Sequence, residues 1–291
     1  MQKNTLQGTV RIVMIIICCI LIIISLFGIG NTLNEYRRSR EEYEALEKLI
    51  FTAEEEEETE QKSQPSKQEE KENEAQTEET DEEALKAIKE AEALELARER
   101  AIKEKDAVNN AIQELHRQNE DVAGWIRFLT VDISYPIMHG ETNDEYIRHT
   151  WSGMANTAGS IFLEALNRPD FNDSHTIIYG HNMKNKTMFG KLSDYKEEGT
   201  YEKCPYFLIY TGEKVYEYQI FSYYDVSETD SVYTIYYEPS DEFGQMVQNM
   251  QKQSWIDPDL TVGKDDKVIT LSTCSTEGRR FIVCAVRVNE Y

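Results

Sequence analysis

Aromatic and glycine residues are concentrated in the last 168 residues of this 291-residue chain. Residues 124–291 hold 26 of the 30 aromatic residues and 11 of the 14 glycines. Residues 31–123 contain three aromatic residues, one proline and no glycine, and their 14 basic and 29 acidic residues give a net charge of −15. A segment so poor in large apolar side chains cannot bury enough surface to offset the entropy of the chain. The globular core must therefore form mainly from residues 124–291.

The C-terminal region has the pattern of a mainly β domain. Short runs of β-branched and aromatic residues, separated by turn residues, occur at 133–137, 176–179, 216–220, 267–272 and 280–288. Such runs predict a β-sandwich or a closed barrel. One helix interrupts them: it begins near Ser240, and an apolar stripe extends from Phe243 to Met250 at helical spacing.

Residues 12–30 form a run of 19 residues without a charged side chain. As a helix that rises about 1.5 Å per residue, this run is roughly 28 Å long and matches the hydrocarbon core of a bilayer. A cleaved signal peptide is the alternative, but its apolar region is usually shorter and ends in a small-x-small cleavage site. Residues 25–28, with the sequence SLFG, are a poor site of that kind. We interpret 12–30 as a transmembrane anchor and 1–11 as a short cytoplasmic N-terminus.

The charges that flank the apolar run do not settle its orientation. Lys3 and Arg11 precede the run, whereas Arg37, Arg38 and Arg40 follow it. The positive-inside rule therefore slightly favours a cytoplasmic C-terminal region. The chemistry of the C-terminal region has to decide the orientation.

Residues 31–106 are interpreted as an acidic, partly helical stalk or linker that leads to a C-terminal domain at 107–291. Five consecutive glutamates occupy 54–58. Like charges repel one another and favour an extended chain. Apolar residues then recur at helical spacing, which predicts a helix over 81–118 with a break near Asp106.

The composition of the whole chain argues against several classes of protein. There are 31 basic and 54 acidic residues, a net charge of −23, whereas binding to nucleic-acid phosphates needs a basic face. The five cysteines contain no CxxC pair, and the five histidines contain no HxxxH pair. Disulfide scaffolds and zinc sites usually show such spacings. We therefore expect no nucleic-acid partner, no disulfide scaffold, no metal site and no cofactor.

The residues best suited to chemistry flank a tight polar turn near the C-terminus. Residues 268–283 (VITLSTCSTEGRRFIV) have the pattern strand, turn, strand, so antiparallel pairing brings Cys274 near Arg279 or Arg280. A guanidinium beside a thiol favours the nucleophilic thiolate and can also hold an oxyanion. A nucleophilic cysteine needs a partner for proton transfer, and His181, at the end of a predicted strand, is the best candidate.

Structural roles compete with these chemical ones. Taken singly, a cysteine at a strand end is more often a small buried apolar residue, and a histidine after a strand is more often a surface or capping residue. We assign such structural roles to the remaining cysteines of the C-terminal region and to the other histidines: Cys204, Cys284, His116, His139, His149 and His175.

Several motifs together resemble the sortase family. Residues 270–274 (TLSTC), with an arginine directly before an apolar strand, are similar to the family signature TLxTC…R. Residues 178–183 (IYGHNM) and 188–192 (MFGKL) resemble the histidine segment of class B sortases. Three more segments are similar to class B: 119–125 (NEDVAGW), 143–151 and 158–162 (AGSIF). The resemblance covers roughly 107–291, and it favours the chemical roles of Cys274 and His181.

The resemblance implies a closed β-barrel of about eight strands, with N-terminal helices and one helix before the cysteine strand. By matching positions, it implies that Cys274 is the nucleophile, His181 the general acid/base, and Arg280 the family arginine. Strand alternation turns Arg279 to the other face, so only one of the two arginines can work with Cys274. The substrate-binding residues expected from the resemblance are Asn143, Ile147, Ser272 and Thr273.

The implied function is that of a membrane-anchored cysteine transpeptidase on the surface of a Gram-positive cell. Cys274 would cleave the C-terminal sorting signal of a secreted protein through a thioester. An amine of cell-wall peptide or of a pilin subunit would then accept the acyl group. Two alternatives stay open: a thiol hydrolase of the same fold, with water as the acceptor, and a catalytically inactive surface binding barrel.

Overall fold

The computed structural model describes residues 2–51, 78–274 and 278–291, and the side chains of residues 14–51, 85–273 and 278–291. The helices in these ranges are α1 (Gln2–Phe51), α2 (Glu78–Lys103), α3 (Lys105–Gln118), α4 (Thr200–Lys203) and α5 (Asp241–Gln253). The strands are β1 (Val122–Phe128), β2 (Ser134–Met138), β3 (Ile161–Leu163), β4 (His175–Gly180), β5 (Tyr206–Tyr210), β6 (Val215–Ser227), β7 (Val268–Cys274) and β8 (Arg279–Glu290). Two 3-10 helices lie in the connections, Phe189–Lys196 and Ser231–Tyr233.

The eight strands close into one barrel in the order β1-β2-β3-β4-β7-β8-β6-β5. The β2–β3 and β4–β7 pairs are parallel, and the other neighbouring pairs are antiparallel. The predicted mainly β fold and the closed eight-stranded barrel are therefore confirmed, and the sandwich is excluded. The five strands predicted from apolar runs correspond to β2, β4, β6, β7 and β8, whereas β1, β3 and β5 are not predicted by those runs.

Strand β6 is buried on both faces because α5 covers the outside of the barrel next to it. Tyr218 belongs to the core inside the barrel, whereas Phe221 packs in the cluster under α5. The Ser240 hydroxyl accepts a hydrogen bond from the N–H of Phe243 at 3.1 Å and caps the start of α5. The predicted helix and its apolar stripe are confirmed, since four side chains of α5 are buried: Phe243, Met246, Val247 and Met250.

Helices α2 and α3 confirm the helix predicted over 81–118, and the break between them falls at Glu104. The apolar side chains of α3 pack over strands β1 and β5, in one cluster with Trp125 and Tyr210. This packing explains why a short helix with many polar residues is stable here, because most helical stability comes from a buried apolar face. The buried apolar residues of α3 are Val108, Ile112 and Leu115.

Helix α1 continues from the apolar run into the segment that composition assigns to a stalk. The helix from Met14 onward is long and apolar enough to cross a membrane, by length and composition. Further along, however, the side chains of Tyr43, Leu46, Ile50 and Phe51 are buried against the barrel and α3. Residues 31–51 therefore differ from the predicted stalk and form part of the folded domain.

Average composition conceals this docking. Tyr43, Leu46 and Ile50 recur at spacings of three and four residues, which places them on one helix face. Acidic residues fill the other faces of the same helix, so the mean over a long window is strongly polar. Phe51 then ends the stripe with its ring edge against Trp125, at a centroid distance of 6.0 Å.

Helix α2 is joined to the barrel by a buried carboxylate. Glu217 of β6 has a fully buried side chain, and its Oε2 accepts a hydrogen bond from Arg98 Nη2 at 2.7 Å. The same oxygen accepts hydrogen bonds from Asn289 Nδ2 at 2.6 Å and from the Tyr291 hydroxyl at 3.0 Å. Arg98 is the cation that compensates the Glu217 charge, so the end of α2 near Arg98 is fixed on the barrel.

We expect Arg98→Met to lower the free energy of unfolding by about 2–4 kcal/mol, because it leaves the Glu217 charge buried without its cation. Glu217→Gln in the same chain should recover much of the loss, because that change removes the stranded charge. Arg117→Met is the matched control: Arg117 pairs with Glu114 on an exposed surface, where such pairs contribute less than about 1 kcal/mol. Urea unfolding of the four proteins measures these differences. Equal losses for Arg98→Met and Arg117→Met would contradict the account.

Candidate active site

Strand pairing brings the three predicted catalytic positions to one end of the barrel. In the parallel β4–β7 pair, Gly180 lies opposite Thr273. The residues that follow them, His181 and Cys274, are therefore neighbours at the ends of two adjacent strands. In the β7–β8 hairpin, Cys274 is paired with Arg280, as the antiparallel hairpin predicts. Adjacent strands lie about 4.8 Å apart. The pairing of the backbone strands is therefore enough to bring these three positions close together.

A cavity of about 280 Å³ opens beside these strand ends. Five of the predicted site residues line it: His181, Arg280, Asn143, Ile147 and Ser272. Five further residues line it that the sequence did not assign to the site: Phe162, Tyr179, Gly180, Glu228 and Tyr233. The side chain of Cys274 lies outside the described set, and its backbone follows the lining residue Ser272 by two positions.

The imidazole of His181 is held by a backbone carbonyl. Its Nε2 lies 2.7 Å from the carbonyl oxygen of Ile147. A carbonyl oxygen only accepts hydrogen bonds, so Nε2 must carry the proton. Nδ1 is then the ring atom available for proton transfer, and it has no hydrogen-bond partner among the described side chains.

Arg279 and Arg280 face opposite sides of β8. Arg280 is half-buried and lines the cavity, where its Nη2 lies 3.9 Å from Oε2 of Glu228. Arg279 is exposed, and its Nη2 donates to the carbonyl oxygen of Asp225 at 3.0 Å. This is the alternation expected of neighbouring strand residues, and it makes Arg280 the arginine of the cavity.

A buried carboxylate fixes one wall of the cavity. Glu164 Oε2 accepts hydrogen bonds from Asn143 Nδ2 at 2.7 Å and from the Tyr179 hydroxyl at 2.9 Å. Asn143 Oδ1 accepts a hydrogen bond from the N–H of Ala165 at 2.8 Å. Both ends of the Asn143 amide are thus engaged within the protein. Glu164 carries no sequence signal of its own, because only the fold brings it to Asn143.

Tyr233 also lines the cavity and comes from the connection between β6 and α5. Its hydroxyl lies 2.8 Å from the Ser272 hydroxyl, and its ring stacks on Tyr179 with centroids 6.3 Å apart. Burial raises the pKa of Tyr233 to about 12, so its hydroxyl stays protonated at neutral pH. The connection has no motif that marks Tyr233 in the sequence.

Thr273 is the one predicted substrate-binding residue that does not line the cavity. It is buried, and it pairs with Gly180 and Phe281 within the barrel wall. Strand alternation points its side chain away from the face that Ser272 presents to the cavity. Its hydroxyl is buried without a hydrogen-bond partner among the described residues.

The other cysteines of the barrel have the environment of structural residues. Cys204 and Cys284 are fully buried, and burial raises the pKa of the Cys284 thiol to about 12. A thiol with such a pKa is almost entirely protonated at neutral pH and is a poor nucleophile. Among the described residues, no group of three or more His, Cys, Asp or Glu side chains is placed to hold a metal ion.

His175 anchors the connection that carries Tyr233. Its Nδ1 lies 2.8 Å from the carbonyl oxygen of Thr234, and its backbone N–H donates to the carbonyl of Tyr236 at 2.8 Å. Its Nε2 lies 2.8 Å from the hydroxyl of Thr270. Complete burial lowers the pKa of His175 from its ordinary value of 6.5 to about 4, so the ring is neutral in the folded protein at neutral pH.

The sortase domain family matches residues 128–288, which is more than half of the chain. The chain belongs to the sortase family. It is 37% identical over 172 residues to sortase B of Listeria monocytogenes, a match that covers 58% of this chain and 69% of the relative. It is 29% identical over 187 residues to sortase B of Staphylococcus aureus, covering 63% of this chain and 77% of the relative. These relatives place the sortase in class B.

Solved sortase B structures share the fold. The structure of Clostridium perfringens sortase B matches with a TM-score of 0.57 and 27% identity, over 61% of this chain and 99% of that one. The Staphylococcus aureus sortase B–substrate complex matches with a TM-score of 0.60 and 26% identity, over 72% and 98% of the two chains. The fold and the family together make this sortase a cysteine transpeptidase.

We expect the stability of this sortase to fall as the pH drops from about 6.5 toward 4. The pKa of His175 is near 6.5 in the unfolded chain and about 4 in the folded one, so the unfolded chain takes up a proton first. The full effect of this shift is about 3 kcal/mol. His175→Gln should remove this part of the pH dependence, and His116→Gln, a change at an exposed ring, should keep it. Urea unfolding between pH 7 and pH 4.5 measures how the free energy of unfolding of each variant changes with pH. An equal pH dependence in His175→Gln and His116→Gln would refute the role of His175.

Proposed function

We propose that this sortase is anchored in the membrane by residues 12–30 and cleaves C-terminal sorting signals of secreted proteins, with Cys274, His181 and Arg280 as its catalytic residues. The observation that carries the proposal is the strand register. It brings the His181 and Arg280 side chains into one cavity at the strand end where Cys274 lies. A nucleophile, a proton carrier and an oxyanion donor are the three groups that acyl transfer through a thioester requires.

In the first half of the reaction, the Cys274 thiolate attacks the carbonyl carbon of a threonine in the sorting signal. The carbon–sulfur bond forms, and the carbonyl oxygen takes the negative charge. The carbon–nitrogen bond then breaks, and protonated His181 gives its Nδ1 proton to the leaving amine. The products of this half are a thioester on Cys274, a free C-terminal peptide and a neutral His181, whose Nε2–H still donates a hydrogen bond to the carbonyl of Ile147.

In the second half, an amine of cell-wall peptide or of a pilin subunit attacks the thioester carbon. His181 takes the proton that the amine loses, and the Cys274 thiolate leaves. A new amide bond has formed, and the enzyme has returned to its starting protonation state. No water enters this sequence, so the same site becomes a hydrolase only when water replaces the amine as acceptor.

The environment of Arg280 supports its role as the oxyanion donor. Its side chain is half-buried, and a guanidinium in a partly dry cavity acts on charge more strongly than one in water. Glu228 also lines the cavity, and its Oε2 lies 3.9 Å from Nη2 of Arg280. Arg280 is also the strand partner of Cys274, and a cation close to a thiol favours the nucleophilic thiolate.

The cavity walls suit an extended peptide with mixed polarity. Ile147 and Phe162 offer apolar surface, whereas Ser272 and the hydroxyl of Tyr233 offer hydrogen bonds. We propose that Asn143 acts mainly by shaping the wall, because its amide is already engaged by Glu164 and Ala165. The sorting signal would then be recognised by shape and by a few hydroxyl contacts.

The proposed topology places the catalytic domain outside the cell, because the proposed substrates are secreted proteins. Residues 1–11 lie in the cytoplasm, 12–30 cross the membrane, and the catalytic domain, which includes 107–291, lies outside. The helix from Met14 supports the anchor by its length and composition. A catalytic domain in the cytoplasm would not meet secreted proteins on the outer surface.

We expect intact protoplasts that carry the full chain to cleave a membrane-impermeant library of internally quenched peptides with threonine before the scissile bond. Cys274→Ala should abolish this cleavage, because alanine cannot form the thioester. Cys204→Ala and Cys284→Ala should retain it, since both thiols are buried away from the cavity.

Mass spectrometry of the products with an added amine then separates amide transfer from hydrolysis. Cleavage that appears only after lysis would contradict the topology. Cleavage by Cys274→Ala at the normal rate would contradict the mechanism.

We expect Arg280→Lys to lower turnover by roughly 10²-fold or more, the scale of losing one preorganised donor. Lysine keeps the positive charge but loses the planar fork that can give two directed hydrogen bonds. Arg279→Lys is the matched control and should change turnover little, because Arg279 bonds to Asp225 on the other face of β8. One fluorogenic peptide from the library measures both variants. An inactive Arg279→Lys variant together with an active Arg280→Lys variant would mean that Arg279, and not Arg280, is the catalytic arginine.

A further inference from the structure

The helix that contains the apolar run also contributes a buried tyrosine to the barrel core. Tyr43 of α1 is 4% exposed, and its hydroxyl donates to the carbonyl oxygen of Gly159 at 3.0 Å. The same hydroxyl lies 3.1 Å from the Ser160 hydroxyl. Tyr43, Gly159 and Ser160 do not line the active-site cavity, so an effect of Tyr43 on the site has to pass through other residues.

A first chain of contacts leads from Tyr43 to the imidazole of His181. Ser160 donates its hydroxyl to the carbonyl of His149 at 2.8 Å and its N–H to the carbonyl of Tyr146 at 3.0 Å. These bonds hold both sides of Ile147, whose carbonyl oxygen bonds to Nε2 of His181 at 2.7 Å.

Gly159 packs directly against that carbonyl. Its φ of +58° is in the region that favours glycine, and a Cβ at this position would lie 2.5 Å from the Ile147 oxygen. The turn that Tyr43 holds therefore sets the position of the acceptor that orients His181.

A second chain of contacts leads from Tyr43 to the backbone of His181. The Tyr43 ring meets the Tyr135 ring edge-on, with centroids 5.4 Å apart. The Tyr135 hydroxyl accepts a hydrogen bond from the N–H of Met188 at 3.0 Å. Met188 has a φ of +54°, a strained value for a residue with a side chain, and pairs with Asn182 in a β-bridge. The next residue, Phe189, donates its N–H to the carbonyl of His181 at 3.1 Å.

We propose that Tyr43 is a positioning residue for His181, and that α1 is therefore part of the catalytic unit of this sortase as well as its anchor. The proposal rests on the proposed role of His181 in proton transfer. Both chains of contacts begin at Tyr43, one ending at the ring nitrogen of His181 and the other at its backbone. Tyr43 lies 13 residues after Gly30, so this support is about 20 Å along the helix from the end of the apolar run.

A purely structural Tyr43 would give a different result from a positioning one. A packing residue lowers stability when it is changed and leaves the turnover of the folded fraction intact. A positioning residue lowers kcat with little change in KM, because substrate contacts in the cavity stay in place while the proton carrier shifts. Tyr43→Phe separates the two, since it removes only the hydroxyl and keeps the ring against Tyr135.

The test uses the full chain in lipid nanodiscs, with the best peptide from the quenched library as substrate. We expect Tyr43→Phe and Ser160→Ala each to lower kcat by about 5- to 20-fold, with KM within about twofold, since small misplacements of a catalytic group cost one to two orders of magnitude. The kcat of the Tyr43→Phe/Ser160→Ala double variant should be close to that of the less active single variant, because both changes break the same chain of contacts.

Two further variants complete the set. Tyr36→Phe is the matched control, because Tyr36 is a tyrosine of the same helix that packs on the barrel core and has no hydrogen bond to a described residue through its hydroxyl. Tyr135→Phe removes the acceptor of the Met188 N–H and leaves α1 unchanged, so it tests the second chain even if Tyr43→Phe folds poorly. Tyr135→Phe should lower kcat as Tyr43→Phe does, and Tyr36→Phe should not.

Nuclear magnetic resonance of histidine-labelled protein gives a readout that does not depend on activity. The ring signals of His181 should shift or broaden in Tyr43→Phe, whereas those of His116 and His175, which lie elsewhere on the barrel, should not. A wild-type chain that cleaves no library peptide would overturn the proposed function, and the His181 signals would still decide the role of Tyr43. Unchanged kcat with unchanged His181 signals, or equal effects of Tyr36→Phe and Tyr43→Phe, would overturn the inference.

Discussion

The parallel contact between β4 and β7 is the constraint on which the rest of the site depends. Six consecutive residue pairs, from His175–Val268 to Gly180–Thr273, fix the register of the two strands. A slip of one residue would turn every side chain to the opposite face and separate His181 from the end of β7. Gly180, the last residue of β4, lies close to β3 and to the segment after His181: a Cβ there would lie 2.5 Å from the Ile161 side chain and 2.7 Å from the Phe189 ring. A side chain at position 180 would therefore force Ile161 or Phe189 to move.

Around this contact, residues from distant parts of the chain hold the side chains that line the cavity in place. Glu164 holds Asn143 and Tyr179, and His175 holds the connection that carries Tyr233. Each of these supports is buried and hydrogen-bonded, so the low local dielectric strengthens the bonds and makes their loss costly. Such a shell limits the motion of groups whose geometry acyl transfer depends on.

The acidic N-terminal region shows how a polar segment can belong to a folded domain. Its docked parts use a narrow apolar stripe on α1 and one buried ion pair, Arg98 with Glu217, at the end of α2. Some of the other acidic side chains also bond to the barrel domain: Glu35 accepts a hydrogen bond from Thr157, Glu42 accepts one from Ser152, and Glu90 pairs with Lys203. The barrel and the helix that contains the apolar run therefore pack as one unit. The docked part of the acidic region is not a simple spacer.

Residue spacing is enough to predict the barrel strands with apolar runs, helix α5, and the pairing of Cys274 with an arginine across a tight turn. These features are local: each is specified by residue spacing within about twenty positions. The position of His181 at a strand end made it a candidate, and motif resemblance favoured it and chose Arg280 over Arg279. The packing of 31–51 on the barrel and the orientation of Thr273 away from the cavity became visible only in the folded structure, as did further residues that support or line the site: Glu164, His175, Glu228 and Tyr233. The physical reason is that hydrogen bonds and contacts between residues far apart in the chain leave no period or motif in the sequence.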